Sequence, residues 1–91
     1  MTPISSDPVI GPLSAQQSGA ITEVEFTLSR EASVHILVWE IFAPEEPIED
    51  YSAVFPAGFN QWLGATSLTP EHTYVASVQA TGFPAHLTNE F

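Results

Sequence analysis

A chain of 91 residues is one small domain, and at this length folding buries only about 60–65% of the surface that the unfolded chain exposes. Eleven acidic residues face a single basic one, Arg30, for a net charge of −10, which excludes a nucleic-acid binder and disfavours any anionic membrane surface, because both need a basic patch. There is no cysteine to form a disulfide or supply a thiolate, and no apolar run approaches the roughly 20 residues of a membrane span.

The elements expected in chain order are all strands, since apolar residues recur with period two and no long window holds a helical period. Residues 1–8 read as an N-terminal arm without the basic start or apolar centre of a secretory signal, and residues 9–91 as the single domain. Residues 8–13 suggest an edge strand broken by Gly11-Pro12, and residues 14–19 a polar loop. Residues 22–29 alternate cleanly, with Val24, Phe26 and Leu28 on one face and Glu23, Glu25, Thr27 and Ser29 on the other. A five-residue polar break leads to a strand over residues 34–42, then to an acidic loop that Pro44 and Pro47 keep out of any central strand. Residues 51–55 form a short strand closed by Pro56-Ala57-Gly58, and residues 59–68 a weaker one interrupted by Gly64. Residues 73–81 alternate again, with Tyr74, Ala76, Val78 and Ala80 facing one way, and residues 83–91 supply a last strand carrying Leu87 and Phe91. About seven short strands with turns every 8–12 residues predict an all-β, antiparallel, two-sheet β-sandwich.

Two stretches carry a resemblance. Leu68, Pro70 and Tyr74, followed by alternating small apolar residues, are spaced as in the E–F corner and F strand of fibronectin type III and related immunoglobulin-like domains. The pattern Val24-x-Phe26-x-Leu28-Ser29, a short break, then Val34-x-Ile36-x-Val38-Trp39 resembles the B and C strands of the same superfamily, closest to its bacterial and phage variants. The resemblance implies a tyrosine corner, in which the Tyr74 hydroxyl bonds backbone a few residues upstream while Leu68 plugs the core beneath the loop. It departs from the animal pattern at Phe26, where a buried Trp is usual, and at Trp62 and Gly64.

Chemistry is sparse. His35, His72 and His86 stand on different elements with no metal-ligand spacing. No G-x-S-x-G elbow or phosphate loop occurs, so no catalytic residue, cofactor or metal site is expected. The acidic loop with Glu45, Glu46, Glu49 and Asp50 is the best calcium candidate, but it lacks an EF-hand pattern and reads as solvated charge.

The strand over residues 34–42 is the exception to an ordinary solvated face. With Val34, Ile36 and Val38 inward, the outward row is His35, Leu37, Trp39 and Ile41, where a half-exposed sheet is normally polar. Either residues 48–55 or the N-terminal arm cover this row, or a partner does. The leading expectation is a non-catalytic module that docks on a larger protein assembly, a phage or virus particle whose capsid it decorates or whose tail it joins, with a homo-oligomer compatible. The chain would then sit on the virion surface. The alternative is an accessory module of a secreted, extracellular bacterial protein that binds polysaccharide through Trp39, Trp62 or Tyr51.

Overall fold

The computed structural model describes residues 7–91. Seven strands form two antiparallel sheets: β1 (Ser14–Ser18), β2 (Ile21–Leu28) and β5 (Gly58–Leu63) in the order β1-β2-β5, and β3 (Ala32–Glu40), β4 (Glu49–Phe55), β6 (Tyr74–Ala80) and β7 (His86–Glu90) in the order β4-β3-β6-β7. The fold is the expected all-β, two-sheet sandwich. Its core lies where the alternating residues of the central strands converge: Val24, Phe26 and Leu28 from β2, Val34, Ile36 and Val38 from β3, and Tyr74, Ala76, Val78 and Ala80 from β6 are all buried. On β2 the opposite parity faces out, and Glu23 accepts hydrogen bonds from the side-chain amides of Gln16 and Gln61 on the two flanking strands.

The first strand differs from expectation. Residues 14–18 form β1, where the sequence reads as a loop, while the apolar residues before them make only a short pairing. Gly11 N–H donates to Thr27 C=O, Ser29 N–H to Val9 C=O, and Ile10 bridges Leu28. Pro12, with no N–H to give, interrupts the edge between the two pieces. Gly11 is confined by the Thr27 side chain, into which a Cβ would project. β1 is polar because it is an edge whose only buried residue is Ala15. It turns into β2 through Gly19-Ala20, with Ser18 paired to Ile21 and Gly19 at φ 64°, the two-residue hairpin with glycine first. The expected N-terminal arm lies mostly outside the described residues; of its last two positions, Asp7 is exposed and Pro8 is buried in the body of the domain.

Other boundaries shift less. β5 stops at Leu63, and Gly64 N–H donates to Thr22 C=O as the chain leaves the sheet. Leu68 therefore sits in a loop, buried, with its N–H donating to Ala20 C=O. The last strand begins at His86, after a turn in which Phe83 N–H donates to Ala80 C=O.

Tyr74, at the start of β6, is 3% exposed, and its hydroxyl accepts a hydrogen bond of 2.8 Å from the Thr69 N–H. The ring lies 5.8 Å from that of Phe91. Leu68 plugs the core beside it, while Pro70 is exposed on the turn itself. Tyr74→Phe keeps the packing and orphans a backbone donor, so urea unfolding should show a loss of about 1 kcal/mol or somewhat more. The turn holds a strained residue: His72 N–H donates to Thr69 C=O, Pro70 occupies the second position, and Glu71 is at φ 72° in the third, where a type II turn favours glycine. Glu71→Gly should therefore stabilise the domain by up to about 1 kcal/mol, read as a higher melting temperature.

Candidate docking surface

The four-stranded sheet turns one face to the core and the other outward. Register fixes the outward neighbours: Leu37 on β3 lies between Asp50 on β4 and Ser77 on β6, and Trp39 lies beside Val75, which is followed on β7 by Glu90. Ile41 continues the row just past the strand, held by its N–H to Thr73 C=O. His35, Leu37, Trp39 and Ile41 thus share the outward face, and each is half-buried. β4 runs beside β3 and not over it, with Ile48 turned toward the core, so residues 48–55 do not cover the row. Of the N-terminal arm, Pro8 lies with Val9 and Ile10 at the other sheet's edge, and residues 1–6 lie outside the described residues.

At the end of this row stands a residue that strand alternation does not single out. Ala43 N–H donates to Glu40 C=O and closes a tight turn with Ile41 and Phe42 at its centre, and Phe42 is 90% exposed. A turn centre usually takes Gly, Asn, Asp, Ser or Pro. An aromatic there, followed by Pro44, was the available signal. Trp39, Ile41 and Phe42 thus lie close in sequence where β3 outruns β4, whose register ends at Val38 opposite Glu49.

Polar side chains around the row are held in place. His35 Nε2 lies 2.6 Å from Asp50 Oδ1, His72 Nδ1 lies 2.9 Å from Glu40 Oε1, and Ser77 Oγ lies 2.6 Å from His86 Nε2. All three histidines are thereby paired, although the sequence shows them isolated, because each pairing crosses between elements. The Ser77–His86 contact brings a hydroxyl and an imidazole together, yet Ser77 is 5% exposed in mid-strand. The ladders engage the N–H of Ser77 with β3 and that of Val78 with β7, so neither can stabilise an oxyanion there.

The acidic loop does not converge. Glu49 turns inward and accepts the Thr66 N–H at 2.8 Å, whereas Asp50 turns outward to His35. No group of three or more His, Asp or Glu side chains placed to hold a metal ion occurs among the described residues. Millimolar calcium is accordingly expected to leave the melting temperature within about a degree, whereas specific binding at a hundred times Kd would add about 2.7 kcal/mol.

The aromatic residues named for polysaccharide do not form one platform. Trp62 faces the core at 9% exposure, and its ring packs under Tyr51 at 5.8 Å. Trp39 is on the far face of the other sheet. No protein-family model, curated protein or solved structure gives a significant match to this chain.

Proposed function

We propose that the chain is a non-catalytic, fibronectin type III-like docking module that attaches to a larger protein assembly through the outer face of its four-stranded sheet. The assembly in this reading is a virion, with the chain decorating the capsid or joining the tail. The observation that carries the reading is the apolar row Leu37, Trp39 and Ile41, extended by the exposed Phe42. A sheet face normally keeps such positions polar, and Trp is over-represented among residues that dominate binding energy. The family reading is supported by the Tyr74–Thr69 hydrogen bond, and the virion by the likeness of the β2–β3 pattern to bacterial and phage variants. The net charge of −10 opposes indiscriminate self-association and favours a partner with a neutral or basic rim.

The test is the mass of purified virions from the source, measured by light scattering before and after the chain is added to particles stripped of it. A saturable increase supports the reading. An unchanged mass, with neighbouring genes encoding a glycosidase or an adhesin, overturns it in favour of polysaccharide binding.

A further inference from the structure

β4 is an edge strand, with β3 as its one neighbour among the described residues. Ladder alternation decides which of its backbone groups are left over. Ile41 N–H donates to Thr73 C=O and Thr81 N–H to Ser33 C=O, so odd-numbered positions of β3 point toward β6 and even-numbered ones toward β4. Val34 and Ile36 therefore take Ala53 and Tyr51 as their hydrogen-bonding partners, and where the ladder ends the Val38 C=O accepts the Ile48 N–H. The N–H and C=O groups of Asp50, Ser52 and Val54 point away from the sheet.

That edge is also where exposed apolar side chains gather. Tyr51 is 44% exposed and Val54 64%, both on β4 itself. Proteins ordinarily blunt an open edge with lysine, proline or an inward-pointing charge. β4 contains no lysine and no proline, and its inward carboxylate, Glu49, is bonded to the Thr66 N–H.

We propose that β4 is a strand-addition site that takes an extended segment of a basic protein partner, antiparallel to β4, as the fifth strand of the four-stranded sheet. The added strand would bond the outward groups of Asp50, Ser52 and Val54, set apolar side chains beside Tyr51 and carry Lys or Arg across from Asp50. Charge selects this occupant over a second copy. Glu45, Glu46, Glu49 and Asp50 lie at one end of the edge, and each copy has a net charge of −10 with a single arginine. This site uses backbone at the sheet's edge and is separate from the face around Trp39, so either can fail without the other.

The probe is a short, acetylated and amidated peptide of alternating Lys and Val, with a Glu–Val counterpart, added to the full chain while amide exchange is followed by NMR. The Lys–Val peptide should slow exchange at Asp50, Ser52 and Val54 by about tenfold or more, and the Glu–Val peptide should not. Ser52→Pro removes an outward N–H while leaving the bonds to β3 in place, and it should abolish the protection. Asp50→Lys, a second variant in case the first fails to fold, should reverse the preference between the two peptides. Absence of slowing, equal slowing by both peptides, or slowing confined to β7 would overturn the proposal. Slowing at β4 that follows protein concentration without peptide would overturn it in favour of a second copy.

Discussion

Phe26→Ala should lower the unfolding free energy by about 3–5 kcal/mol, the range for deleting a buried ring. Phe26 is 1% exposed at the middle of β2, faces Asn60 across the ladder to β5, and meets the edge of the Phe55 ring at 5.3 Å. It thus joins both sheets: its strand belongs to one, and its aromatic partner to the edge of the other. A domain of this size has a total stability of about 5–13 kcal/mol, so the loss is a large share of what holds the fold. Equilibrium urea denaturation with an unchanged slope would measure it. Phe26→Leu, which refills most of the volume, should recover more than half. A loss below about 1.5 kcal/mol for the alanine variant would show that Phe55 collapses into the space and that the sandwich is more yielding than a well-packed core.

Trp39→Ala should have its large effect on binding. On the docking reading it weakens attachment to the particle by at least about 2 kcal/mol, or some 30-fold, as expected of a central interface residue. The melting temperature should fall by less than about 5 °C, because the ring is half-buried on the outer face and not part of the core. Phe42→Ala provides an internal control: at 90% exposure its side chain has almost nothing to lose on unfolding, so a change in binding would come from the interface alone. If Trp39→Ala unfolds the domain, Trp39 is structural and the row is not a docking surface.

The strands that could be read from sequence are those with one wet and one dry face. β2 alternates through eight residues in register with its burial, and β6 is legible because Tyr74, Ala76, Val78 and Ala80 all point inward. β1 escaped because its inner face contributes a single residue, Ala15, and one small side chain makes no period. Its surviving signal was the glycine at the hairpin, which reads as loop until the pairing of Ser18 with Ile21 is known. The outward apolar row was legible as far as strand parity reaches. Phe42 was not, because alternation says nothing about a turn. The Ser77–His86 contact and the outward amides of β4 depend on register between strands, which no local pattern encodes.

The pairing order also bears on how the molecule is made. β2 finds its second neighbour only in β5, with Val24 opposite Trp62, and β3 is flanked by β6, with Ile36 opposite Val78. Both central ladders thus wait for chain that leaves the ribosome much later, and two early hairpins, β1–β2 and β3–β4, must persist without a sandwich to bury them. Folding dominated by such distant contacts runs in milliseconds to seconds, and isolated hairpins are marginal in water. The nascent chain therefore emerges with Val24, Phe26, Ile36 and Val38 not yet covered by the strands that complete their sheets. Its dense negative charge then serves an interval that the finished structure does not show, keeping half-made copies on neighbouring ribosomes apart until β6 arrives.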